Sequence, residues 1–119
     1  MLNGIIVAMG GAIGAVLRYL IGLLPLNPQN GFPLKTFCIN VIGAFVIGLV
    51  AALSARASLN PRFTLFLKVG ICGGFTTFSS FALETETLLG KGNQTIALLY
   101  VVSSLVCGVL AVAAAESLV

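Results

Sequence analysis

The chain has no histidine and no tryptophan, and little charge: six Lys or Arg against three acidic residues, together 8% of 119 residues. A soluble domain carries roughly 25% charged residues, so a water-facing surface of ordinary size is excluded. Without histidine, the usual general base near neutral pH is missing. No nucleophile–base pair or metal-ligand cluster replaces it, so the chain is not expected to be an enzyme. Without tryptophan there is little aromatic surface to cradle an organic cation. Cysteines are few as well. Cys38, Cys72 and Cys107 are spread over three apolar segments, an odd set that reads as small packing residues and offers no disulfide framework.

What the chain has instead is apolar length. Hydrophobic residues make up 59% and the mean hydropathy is +1.15. Charge-free runs cover Met1–Leu17, Thr36–Ala55 and Gly92–Ala115, and about 20 apolar residues cross a bilayer as a helix. With the stretch around 62–90 they predict a single all-α membrane domain over 1–119, its four transmembrane helices at about 3–24, 34–56, 62–89 and 93–118. The first segment lacks a basic leader and is expected to stay as a span rather than be cleaved. Pro25, Pro28 and Pro33, then Asn60-Pro61, then Gly90-Lys91-Gly92-Asn93 punctuate the helices.

Three helices carry small or polar residues at i, i+4 spacing, which stacks them on one face. These stripes are Gly10, Gly14 and Arg18; Thr36, Asn40, Ala44 and Gly48; and Tyr100, Ser104 and Gly108. The glycines read as close-packing faces. Asn40 and Tyr100 need partners or a polar cavity. Basic residues divide evenly, with Arg56, Arg62 and Lys68 at one end and Arg18, Lys35 and Lys91 at the other. Lys/Arg bias normally fixes insertion; near-equal counts predict a chain that inserts both ways and can pair with its own inverted copy. A single orientation set by a weak preference or a partner is the alternative.

The third span is the exception. Residues 74 to 81 read Gly-Phe-Thr-Thr-Phe-Ser-Ser-Phe, with four hydroxyls at bilayer depth. Such groups cost free energy unless paired or lining a polar path. Gly73-Gly74 followed by two threonines is poor helix material. A break near the middle of this helix is therefore expected, and non-helical backbone at that depth is tolerated where it is buried or lines a cavity.

Gly73-Gly74-Phe75-Thr76-Thr77-Phe78-Ser79-Ser80-Phe81, with Gly14-x-x-x-Arg18-Tyr19 and Asn40-x-x-Gly43 upstream, resembles the small bacterial fluoride channels of the Fluc, or CrcB, family. The likeness covers essentially the whole chain. It implies a dual-topology antiparallel homodimer in the bacterial cell membrane, with two pores that export fluoride passively and a structural Na+ at the dimer centre. It implies that Phe78 and Phe81 face the anion and that Asn40, Thr36, Tyr100 and Ser104 form a polar track. Thr77 and Ser80 add hydroxyls, Glu84 stands near the pore, and Arg18 is a structural or vestibule residue. Backbone carbonyls of Gly73 and Thr76 would hold the Na+. The expected partners are fluoride, lipid and a second copy, with no nucleic acid.

The chemistry of these residues suits a small, strongly hydrated anion. Hydroxyls and an amide are neutral donors that can satisfy one another between ions, and a ring edge carries partial positive charge. Conduction needs several weak sites rather than one tight one. A proton-coupled exporter of organic cations, also a four-span class, would need a carboxylate deep in the membrane. Helices 1, 2 and 4 have none there. A purely structural membrane subunit would not need the hydroxyl cluster.

Overall fold

The computed structural model describes residues 1–119, all-helical apart from connections. Its elements are α1 (Leu2–Gly22), α2 (Leu34–Ala57), α3 (Pro61–Leu65), a π-helical segment (Phe66–Cys72), α4 (Gly73–Phe75), α5 (Phe78–Gly90) and α6 (Gln94–Ser117). From α3 to α5 the chain forms one membrane-length span, so four are present. The third is the least apolar, at a mean hydropathy of 1.3 against 1.9, 2.3 and 2.5 for the others.

Local chemistry sets the ends. After α1, Pro25 and Pro28 cannot continue a helix, and the Lys35 ammonium donates to the Gly22 carbonyl. Ser58 closes α2 in the left-handed region at φ 51°. Asn60 then opens α3, its Oδ1 accepting from Arg62 N at 2.9 Å, with Pro61 at the first helical position, where no N–H is missed. At the far end of α5, Gly92 adopts φ 77°. Asn93 N donates to Leu88 O and Gly92 N to Leu89 O, the paired bonds of a Schellman stop.

The closest helix pairs are not neighbours in sequence. α1 lies along the front half of the third span. A Cβ on Gly10 would meet Phe66 O at 2.6 Å and Gly70 Cα at 2.9 Å, and one on Gly74 would meet Gly11 Cα at 3.0 Å. Backbone here touches backbone, as small residues permit in membrane helices. α2 pairs with α6, where Gly48 sits against Val112 and Ala115. Contacts at successively later residues in both partners make each pair parallel. α1 packs on neither α5 nor α6; past α4 the third span leaves α1 and leans on α6.

The Gly73-Gly74 pair does not interrupt the helix. Both glycines lie in α4, and Thr76 (φ −79°, ψ 158°) and Thr77 (φ −150°, ψ 115°) are the extended residues. Gly74 serves packing, because a side chain there would overlap α1, whereas Gly73 has open space where a Cβ would be. Helix bounds differ from the sequence reading by at most two residues, as frayed ends commonly do.

The molecule measures 48 × 30 × 21 Å, about two helices thick at ~10–12 Å each. Only 15 residues are buried. Most apolar side chains therefore face outward, which is tolerable in lipid and not in water.

Candidate functional site

The extended pair Thr76–Thr77 strips backbone groups of their helical partners, and side chains from two other helices replace them. Thr77 N donates to Asn40 Oδ1 at 2.8 Å, and Asn40 Nδ2 donates to Thr77 O at 3.1 Å. The Thr77 amide would otherwise reach the Gly73 carbonyl. Ser80 N, which would otherwise reach Thr76 O, bonds to Thr77 Oγ1 at 3.1 Å. Arg18 Nε donates to Gly74 O at 3.2 Å. Thr76 Oγ1 turns back to Cys72 O at 2.9 Å, and its methyl fills the space that the missing Cβ of Gly43 leaves. Each satisfied group avoids the penalty of an unpaired polar atom at membrane depth.

Around this segment lies a cavity of about 390 Å³. Asn40, Gly73, Thr76, Thr77, Phe78, Phe81 and Ser104 all line it, with Cys72 and the apolar Ile47 and Leu105. Its polar groups are neutral. Ser104 Oγ is buried without a hydrogen-bond partner, which is uncommon for a buried hydroxyl. Phe78 is 79% exposed, the opposite of a core residue. Its ring centroid stands 6.0 Å from that of Phe81, which stands 5.0 Å from Tyr100.

Beyond Phe81 the polar groups converge on one carboxylate. Tyr100, fully buried, donates its hydroxyl to Glu84 Oε1 at 2.9 Å, and Thr36 Oγ1 donates to Glu84 Oε2 at 2.9 Å. Both oxygens of the Glu84 side chain are thereby engaged. Phe32 packs edge-on against Tyr100 at 5.5 Å and closes the apolar side. Glu84 also borders a second cavity, of about 470 Å³, at the end carrying the α1–α2 loop and the α5–α6 turn.

The residues singled out in the sequence thus separate into groups. Asn40, Phe78, Phe81, Thr77, Ser104, Gly73 and Thr76 share one cavity, and Thr36, Tyr100 and Glu84 form a cluster beside it. Ser80 and Arg18 line neither cavity; Ser80 gives its amide to the cap of α5, and Arg18 holds a carbonyl. Gly108 has open space where a Cβ would be, so its stripe ends without a partner. The sequence reading missed Glu84 as a shared acceptor. Phe81 and Glu84 are three apart, hence on one helix face, which carries the Glu84 carboxyl group to two buried donors on other helices.

A sequence model of the family described as "CrcB-like protein, Camphor Resistance (CrcB)" matches residues 5–115. The chain is 43% identical to a protein of Agrobacterium fabrum, over 99% of this chain and 96% of that one. It is 47% identical to one of Thermus thermophilus, over 87% and 84%, and 46% identical to one of Novosphingobium aromaticivorans, over 87% and 84%. Each relative is named "Fluoride-specific ion channel FluC". With nearly all its length covered and four apolar helices present, the chain is a multi-pass membrane protein and belongs to the CrcB family.

Proposed function

We propose that the chain is a fluoride-selective channel that lets cytoplasmic fluoride leave the cell down its gradient. The observation that carries this reading is the buried, unpartnered Ser104 hydroxyl in a cavity shared with Asn40 and two phenylalanines. A site with neutral donors and ring edges, and no fixed cation on its wall, can replace part of an anion's hydration without holding the ion. From there the next donors along the track are Tyr100 and Thr36. An anion arriving at those hydroxyls competes with Glu84 for them, which keeps that position weak. The full-length relatives named as fluoride channels support the choice of ion.

The working unit in this reading is an antiparallel pair of identical chains with two pores. Even division of the basic residues supports it. So does Phe78, a ring beside the cavity that one copy leaves uncovered. The broken third span suits a Na+ as well. The carbonyls of Gly73 and Thr76 lose their helical donors to Asn40 and Thr77, and hard cations take such oxygens. Those two carbonyls would hold the ion, which supplies a fixed positive charge that ties the broken segments together.

The test is direct. Purified protein is placed in liposomes loaded with equal fluoride and chloride, and both ions are followed by electrode. Release of fluoride with retention of chloride is expected. Equal release, or none, overturns the proposal. Pumping of an organic cation driven by a proton gradient would restore the exporter reading.

A further inference from the structure

Two charges on the third span have no partner within the chain. Lys68, in the π-helical segment, and Glu86, in α5, are both exposed, and neither makes a hydrogen bond or an ion pair. Other charges are engaged. Arg18 donates to Gly74 O, Lys35 to Gly22 O and Arg56 to Val119 O, and Glu84 accepts from Thr36 and Tyr100. The span runs from Pro61 to Gly90, so its midpoint falls between Phe75 and Thr76. At ~1.5 Å per residue, Lys68 lies ~11 Å from that midpoint and Glu86 ~16 Å from it on the other side. The hydrocarbon reaches ~15 Å from the bilayer centre, so a bare ammonium at Lys68 is unfavourable.

Both residues belong to the side of the span that α1 leaves open. Phe66, Gly70 and Gly74 face α1. Lys68, Cys72 and Thr76 follow a separate i, i+4 row, and Cys72 and Thr76 line the cavity around the extended pair. Phe78, Ala82 and Glu86 form another such row, all three exposed in one copy, and Phe78 lines the same cavity. Turning a second copy upside down in the bilayer brings its Glu86 to the side of Lys68, ~5 Å further out. Side chains on a helix lean toward its N-terminus. Lys68 therefore leans outward, toward Pro61, while the inverted Glu86 leans back toward the midplane, and the two heights converge. Glu84 lies at a similar height, but its carboxyl group is already turned to Thr36 and Tyr100 within its own copy. We infer that Lys68 pairs with Glu86 of the partner subunit, once on each side of the two-fold axis, and that these ion pairs select the antiparallel dimer. The inference rests on the antiparallel reading and names what enforces it. In a parallel pair equal residues meet at equal heights, and Lys68 would face a like charge.

Charge reversal separates this pairing from a general effect of charge. Wild type, Lys68→Glu, Glu86→Lys and the double reversal are purified in dodecyl maltoside, where copies inserted either way meet freely and insertion bias plays no part. Dimer dissociation is followed by analytical ultracentrifugation across dilution, with circular dichroism as the check on folding. Each single reversal is expected to weaken the dimer ~10-fold or more, and the double reversal to return it to within ~3-fold of wild type. Single reversals as tight as wild type overturn the inference, and so does a double reversal no tighter than the singles. Cross-linking supplies a second readout. Positions 68 and 86 are ~27 Å apart along one span, so a short bis-maleimide acting on Lys68→Cys/Glu86→Cys joins them only between copies. A dimer band is expected from that variant and not from Lys68→Cys or Glu86→Cys alone. Its absence overturns the pairing, and a band from Lys68→Cys alone marks a parallel dimer. If wild type stays monomeric at every concentration, the antiparallel reading fails and the inference with it.

Discussion

Asn40 and Thr77 are joined by two hydrogen bonds in opposite directions, amide to carbonyl at 3.1 Å and backbone N–H to amide oxygen at 2.8 Å. A side chain on α2 thereby does for an extended residue what a neighbouring strand does in a sheet. Thr77, extended at the start of α5, is braced by this pair. Asn40 has one Nδ2 hydrogen left over for the cavity it lines, so its roles as brace and as donor are compatible.

Asn40→Asp separates the brace from the shape. The carboxylate keeps the acceptor for Thr77 N and loses the donor, leaving one oxygen facing the Thr77 carbonyl oxygen. We expect a loss of ~1–3 kcal/mol in folding stability, seen as a lower melting temperature in detergent, and fluoride efflux at least tenfold slower. Full efflux with unchanged melting would remove Asn40 from both roles.

Phe78→Ile and Phe81→Ile are expected to reduce fluoride efflux about tenfold or more, since isoleucine keeps bulk without a positive ring edge. Their stabilities should differ. Phe81 packs on Tyr100 at 5.0 Å and its loss costs ~0.5–1.5 kcal/mol, whereas Phe78 is largely exposed in a single chain. Undiminished efflux in both variants would make the rings packing residues only.

Gly14→Ala tests the contact between α1 and the third span. The new methyl would meet Phe75 N at 2.7 Å, and the Ile71 carbonyl closer still; backbone on both sides leaves nothing flexible to yield. Overpacking of this kind costs ~1–3 kcal/mol. Gly108→Ala is the control, with open space at the same substitution and a helix-propensity gain of up to ~1 kcal/mol. A melting temperature that falls for Gly14→Ala and holds or rises for Gly108→Ala is the expected pattern.

Orientation supplies the fourth prediction. Two lysines inserted beside Arg56 should drive every copy into one orientation, and two beside Lys91 into the opposite one. If the channel is an antiparallel pair, each biased variant alone fails to protect a fluoride-sensitive cell and the two expressed together restore protection. Protection by either one alone, with its orientation verified by cysteine labelling, would rule out the antiparallel unit.

Much of this was legible in the residues. Four spans follow from apolar length, and the glycine stripe of α1 from its spacing. Tyr100 and Asn40 announced themselves as buried polar groups in need of partners. Other features were not legible. Glycines at 73 and 74 suggest a break because glycine disfavours helix, yet the close approach of Gly74 to Gly11 uses glycine for its missing side chain, and only the fold decides between the two. The π-helical turn at Phe66–Cys72 leaves no compositional mark. The resemblance put Glu84 near the pore, but its two partners were not legible, because the hydroxyls that claim it lie 48 and 16 residues distant.

The pairing of α1 with the third span, and of α2 with α6, bears on how the protein is made. Each helix's closest partner emerges from the ribosome only after an intervening span has entered the bilayer. Between Gly14 and the Phe66–Phe75 stretch lie about 50 residues, or ~3–10 s of synthesis at ~5–20 residues per second. Through that interval α1 waits in the membrane without the third span against its glycine groove. The register between Gly14 and Gly74 is therefore settled late, by lateral docking of finished spans, and a defect in that groove should betray itself as arrested or degraded chains before it shows as slow transport.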